Sequence, residues 1–245
     1  VSLDPSPAGA MPTVVTEAVG VSAETARMVV GNLGLLTVRS AHAVQVRVAP
    51  GIDANAVQAS LPSFRLLIDA SIGPTVTPAM RARLHRHWDQ PGFALLCRTQ
   101  VAYACPLATL ITAALDRVGV LPAQMLAPVR LSLHEAVANA VMHGNLDLNS
   151  LHQADDEAFL DFSTLFRQRL QDPAYGDRPL LIDLVWGVRQ LDLAVLDCGP
   201  GYDPAELGES RLDDVSGRGL ALIRSMAQHV AVSDDGRCTE LRFVA

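Results

Sequence analysis

LHEAVANAVMHGN, residues 133 to 145, is an Ala- and Val-rich segment that carries a Glu, an Asn and a His at four-residue intervals. On an α-helix, positions i and i+4 share a face, so Glu135, Asn139 and His143 form one polar stripe. Leu133, Ala136, Val137, Ala140 and Val141 around it are apolar or small, as in a helix that is otherwise packed. A polar stripe in that setting must be met by solvent, by other protein groups or by a ligand. The spacing predicts a helix from about Pro128 to His143, stopped by Gly144.

Upstream of the stripe the chain alternates strand and helix patterns. MPTVVTEAV reads as a strand, and SAETARMVVGNLG as a helix with Ser22 as N-cap and Gly34 near its end. AVQVRV and SFRLLIDAS read as strands, and TPAMRARLHRHW as a helix capped by Thr77. This rhythm predicts a small α/β unit over residues 1–92, closed by the turn-like DQPG of Asp89–Gly92. FALLCRTQVAY then reads as a strand and PLATLITAALDRVG as a helix. Beyond the stripe, DEAFLDFSTLFRQRL reads as a helix, and LLIDLVWG and LDLAVLD as an antiparallel hairpin. GLALIRSMAQHV is a helix candidate, and TELRFVA a last strand.

Composition narrows the function classes. With 49% hydrophobic and 18% charged residues in 245, the chain reads as globular, and with 4% aromatics its core must rest on Leu, Val, Ile and Ala. A net charge of −7 argues against a general affinity for nucleic acid or anionic membrane. No apolar run reaches the roughly 18 residues of a membrane span. Cys97, Cys105, Cys198 and Cys238 show no metal-ligand spacing and read as ordinary thiols. With no signal peptide visible, the expected compartment is a reducing cytoplasm. All 19 basic residues are Arg. A sequence without Lys excludes a Walker-A phosphate loop, Schiff-base chemistry and the usual protein-kinase set.

Two glycine motifs follow the stripe. DCGPGYDP places Asp197 at a strand end with Gly199 and Gly201 behind it, so a carboxylate can accept from a flat ligand that the backbone approaches closely. SGRGLALI places Gly217 and Gly219 at a helix start, whose free N–H groups suit phosphate, with Arg218 as a fixed charge. Each motif alone is as consistent with a plain loop.

Taken in order, the E-x-x-x-N stripe, DxGxG after a strand, GxGL opening a helix and Thr239 entering a last strand resemble the ATP-binding domain shared by gyrase, MutL and histidine kinases, the GHKL superfamily. Within it the likeness is nearest to bacterial anti-sigma-factor serine kinases, whose first motif reads like EAVxNAxxHG. DPAYGDRP and DxGPGxDP also look like ATP-binding domains found beside phosphatase and response-regulator modules. The resemblance covers roughly residues 93–245 and implies a two-layer α/β sandwich of the Bergerat type, preceded by the small α/β unit. It implies ATP and Mg²⁺ as ligands, with Asn139 holding the metal and Glu135 as the base that polarises the attacking hydroxyl. It further implies Asp197 as acceptor for the adenine amino group, Gly199 and Gly201 against the base, and Thr239 near adenine. Gly217, Arg218 and Gly219 become the phosphate-covering lid.

The resemblance also bounds the function. It implies a serine kinase or anti-sigma-like switch acting on a sigma factor or an anti-sigma antagonist, with dimerisation a family expectation. Two departures stand out: the lid is acidic (Glu206, Glu209, Asp213, Asp214), and Val215 precedes Ser216 where the family often has a basic residue. The alternative is a non-catalytic interaction module that keeps the nucleotide site as a scaffold. His134 reads as structural, since no H-box accompanies it, and His143 as equally suited to ending the helix. Residues 1–92 faintly resemble a receiver, with Asp69 at the phosphoacceptor position, or a STAS domain, with Ser71 as target. A plain docking domain is the third reading.

Overall fold

The structure, a computed structural model, describes residues 14–37, 44–61, 63–72, 76–148, 156–201 and 218–245; the side chains of 156–158 and 218–221 fall outside that description. The N-terminal rhythm is real and is set by local caps. β1 (Val14–Ala18) leads into α1 (Ala23–Asn32), where Ser22 Oγ accepts from Thr25 N at 3.0 Å. β2 (Val44–Ala49) is followed by α2 (Ala54–Ser60), a helix absent from the sequence reading and capped by Asp53. β3 (Leu66–Asp69) precedes α3 (Pro78–Arg86), where Thr77 Oγ1 accepts from Met80 N at 3.2 Å.

Downstream, FALLCRTQVAY is corrected. Only Gly92–Arg98 is strand (β4), and Thr99–Ala104 turns into a short helix, α4. The apolar run hides the switch because a buried strand and a buried helix read alike over so few residues. α5 (Leu107–Val118) and α6 (Ala123–Asn139) follow, the second starting ahead of Pro128, which lies inside it. α7 (Asp156–Gln171) and the single turn α8 (Pro173–Gly176) lead to the expected hairpin, β5 (Pro179–Gly187) and β6 (Gln190–Leu196), paired antiparallel. α9 (Arg218–Met226) ends early. The HV of the helix candidate opens a further strand, β7 (His229–Ser233), which pairs with β8 (Cys238–Val244).

These strands form one eight-stranded sheet in the order β1-β2-β3-β4-β5-β6-β8-β7. β1 to β4 are parallel and in sequential order, unlike the 2-1-3-4-5 order of flavodoxin-like receivers. β4 then pairs antiparallel with β5, so the sheet runs without a break past the DQPG turn. α2, α5, α6 and α9 cover one face around Leu95, Leu133, Ile182 and Phe243. α1 and α3 cover part of the other, around Val46, Met80, Leu96 and Leu181. The chain is thus a mixed α/β protein with its sheet flanked by helices.

One polar cluster ties α3 to the second half of the sheet. Asp183 on β5 is fully buried; its Oδ1 lies 2.7 Å from His87 Nε2, and its Oδ2 lies 2.6 Å from Arg86 Nη2 and 3.4 Å from Arg83 Nη1. Arg83 reaches on to Glu240 of β8 at 2.8 Å. A buried carboxylate surrounded in this way is stable only while its partners stay.

Candidate nucleotide site

The helix of the opening motif does not stop at Gly144. After Asn139 it widens into a π turn, Ala140–Asn145. Such turns interrupt the regular i, i+4 register and often mark functional sites. The widening takes His143 off the stripe: its Nδ1–H donates to Leu148 O at 2.7 Å and helps close the turn. Glu135 and Asn139 remain on regular helix, both half-buried. Neither side chain makes a hydrogen bond or ion pair with a described residue. Beneath them Val129, Leu133, Ala136 and Val137 pack into the core. His134, next to Glu135, is exposed.

The π turn brings backbone against the strand-end carboxylate. A Cβ on Gly144 would stand 2.5 Å from Asp197 Oδ2, and one on Gly199 would stand 2.5 Å from the carbonyl carbon of Gly144. Only two glycines allow helix and turn to meet so closely. Asp197 directly follows β6 and is 6% exposed. Its backbone N–H donates to Arg237 O at 3.0 Å, and its Oδ1 accepts from Gly199 N at 2.8 Å. Burial pushes its carboxyl up to about 7, against the lowering effects of the Gly199 hydrogen bond and the Arg237 charge. Such a shift marks Asp197 as a candidate site residue.

Gly201 has φ of 76° and packs on Asp235 in the β7–β8 turn. Thr239 on β8 is the register partner of Val195 on β6, two positions before Asp197, and so belongs to the sheet face that α6 covers. Arg218 and Gly219 open α9, which packs on α6 through Ile223. Gly217 and the acidic lid segment lie outside the described residues. Gly144, Asp197 and Gly199 thus meet at the end of β6, with Thr239 on the paired strand β8 and Glu135 and Asn139 on the helix that leads into the π turn.

Sequence reasoning missed the residues that hold this assembly. Asn145 is fully buried and bonds to Cys198 N, Thr99 Oγ1 and Pro179 O. Arg178 Nη1 donates to Asn145 O at 2.8 Å, and Arg169 Nη1 to Leu146 O at 2.6 Å. Both guanidiniums lie over the ring of Tyr175, at 4.9 Å for Arg169 and 4.6 Å for Arg178. DPAYGDRP is thus the clamp on the end of the π turn. The signal available was the Asn after Gly144, a polar residue off the stripe that no i, i+4 rule explains.

Burial raises the thiols of Cys198 to about 12 and Cys238 to about 11, away from the thiolate form. Asp69 is fully buried, with Oδ2 3.0 Å from Arg98 Nε and Oδ1 accepting from Ser71 N at 2.9 Å and Gly51 N at 3.3 Å. Ser71 itself is exposed. Among the described residues no three His, Cys, Asp or Glu side chains could hold a metal ion. A cation beside Asn139 would need oxygens from the ligand itself, which suits Mg²⁺ on a polyphosphate.

The region from residue 98 to residue 245 matches the histidine kinase-like ATPase domain. The chain belongs to that family. No individual curated protein matches it. Membership in the histidine kinase-like ATPases implies that the chain binds ATP. The match starts at Arg98, the last residue of β4, and leaves the first three strands and nearly all of the fourth outside. Among the described residues no helix is long and apolar enough to cross a membrane.

Proposed function

We propose that the chain binds Mg-ATP and acts on a protein partner, as a serine kinase or an anti-sigma-like switch in bacterial signalling. The observation that supports this best is the free pair on α6. Glu135 and Asn139 are half-buried on the helix whose π turn meets the buried Asp197, yet their side chains have no partner among the described residues. Polar groups in such a place are open to a ligand.

In this reading Asn139 offers a hard oxygen to Mg²⁺, which when bound neutralises charge on the phosphates. Asp197 accepts from the adenine amino group, and Gly199 and Gly201 let the base lie against backbone. Glu135 takes the proton of a partner's serine hydroxyl as it attacks the terminal phosphorus, whose bond to the bridging oxygen breaks so that ADP leaves. The start of α9, with Gly217, Arg218 and Gly219 in sequence, offers its N-terminal dipole and a cation to the phosphates. The partner is a sigma factor or anti-sigma antagonist, and the compartment the cytoplasm.

The acidic lid sequence supports a second reading, a non-catalytic interaction module, since Glu206, Glu209, Asp213 and Asp214 would repel phosphate. Calorimetric titration with ATP, with and without Mg²⁺, separates the two. The kinase-type site requires binding that tightens with Mg²⁺ and loses that Mg²⁺ dependence in Asn139→Ala without loss of fold. A folded wild-type protein that binds no ATP would favour the interaction module, and an Asn139→Ala variant with normal Mg-ATP affinity would remove Asn139 from the metal site.

A further inference from the structure

We infer that Asn145 is the residue that aims Asp197 at the base and so sets the preference for a 6-amino purine; this rests on the reading of Asp197 as the adenine acceptor. Asn145 ends the π turn, is fully buried and spends its side chain entirely inside the protein. Its Oδ1 accepts from Cys198 N at 2.6 Å, and its Nδ2 donates to Thr99 Oγ1 at 2.8 Å and Pro179 O at 3.0 Å. The amide admits one orientation. Turned over, its NH₂ would face the Cys198 N–H and its oxygen would face the Pro179 carbonyl. Thr99 reinforces this, because its hydroxyl donates to Arg178 O at 2.9 Å and keeps a lone pair for Asn145.

The Cys198 N–H belongs to the peptide directly after Asp197. The peptide before it is held by Arg237 O at 3.0 Å. Asp197 is therefore pinned on both sides, by the β7–β8 turn and by the helix that carries Glu135 and Asn139. Its Oδ1 is taken by Gly199 N, while Oδ2 carries no hydrogen bond from a described residue. A carboxylate discriminates an amino donor from a carbonyl only when its free oxygen is fixed, because a mobile side chain can swing away from the wrong group. Asn145 supplies that fixity through one backbone bond and touches no nucleotide itself. It is a positioning residue.

The test is the ratio of affinities for ATP and for inosine triphosphate, in which a carbonyl replaces the 6-amino group. Wild type and Asp197→Asn are compared first. A wild-type protein with no preference for ATP, or a preference that Asp197→Asn leaves intact, would overturn the adenine reading before Asn145 is tested. With that established, Asn145→Ala is expected to weaken ATP by about tenfold and inosine triphosphate little, so that the ratio falls toward one. A purely structural role would weaken both nucleotides alike, and an unchanged ratio in folded Asn145→Ala refutes the inference. If that variant lacks a cooperative urea transition, Thr99→Val, which strips the amide of its hydroxyl acceptor, is read by the same ratio. A fall supports the inference, and no change refutes it.

Discussion

Replacing Asp197 with Asn should stabilise the nucleotide-free protein, and by an amount that depends on pH. Asn keeps the shape and an oxygen for the Gly199 N–H but cannot carry the buried charge. Burial raises the Asp197 carboxyl from its ordinary 3.8 to about 7. Below about pH 4 it is protonated folded and unfolded alike and contributes no pH dependence. Between about pH 4 and 7 the unfolded chain releases the proton while the folded chain keeps it, so wild-type stability falls as pH rises. Above about pH 7 both forms are ionised and the loss is complete: roughly three units at 1.36 kcal/mol each, or up to about 4 kcal/mol. Urea denaturation of both proteins from about pH 4.5 to 8 measures the difference directly, with the other carboxylates cancelling. The stability gap should widen in favour of Asp197→Asn up to about pH 7 and then level off. A gap that is flat with pH, or a variant less stable than wild type at pH 8, would refute the argument. Nucleotide affinity should follow the opposite trend. Accepting from an amino group requires the ionised carboxylate, so ATP affinity of the wild type should drop by about tenfold per pH unit below 7.

Two further substitutions probe the contacts that build the site. Gly144→Ala forces a methyl group against the Asp197 carboxyl and should destabilise by about 1–3 kcal/mol in urea while abolishing ATP binding; normal affinity would mean that the close approach is dispensable. Asp183→Ala strands the buried His87 and the paired Arg83 and Arg86 and should cost about 3–5 kcal/mol, whereas a loss below about 1 kcal/mol would show that the cluster relaxes to solvent.

What could be read from the sequence was local. Ser22 and Thr77 announce their helices because a cap is a contact over three residues, and both caps form as expected. The hairpin of β5 and β6 follows from two apolar runs with a short gap, and the ATPase family from motifs kept in order. The misses share the opposite property. The π turn exists because Gly144 must meet Asp197, far along the chain, so helical periodicity through His143 could not announce it. Asn145 and Arg178 look like ordinary polar residues until tertiary structure gives them carbonyls and a backbone N–H to bind. Asp183 lies within LLIDLV as a lone charge, and only the packing of α3 on β5 explains it. FALLCRTQVAY failed for another reason: eight buried positions among its eleven residues erase the period that distinguishes strand from helix.

The unbroken sheet gives the N-terminal strands a role that no motif suggests. The ATPase match begins at Arg98, so a fragment cut there would carry β5 as a naked border, six of its nine residues buried in the intact chain. A long apolar border with open N–H and C=O groups invites pairing with another molecule. It would also leave the Asp183 charge without His87, Arg83 and Arg86. β4 seals that border along its whole length, from Gly92 against Val185 to Arg98 against Pro179. The open rim moves outward to β1, a short strand whose Glu17 is exposed and ion-paired with Arg47 on β2 at 3.1 Å. Pairing with β4 thus removes from the ATPase region a border at which a fragment cut at Arg98 is expected to self-associate.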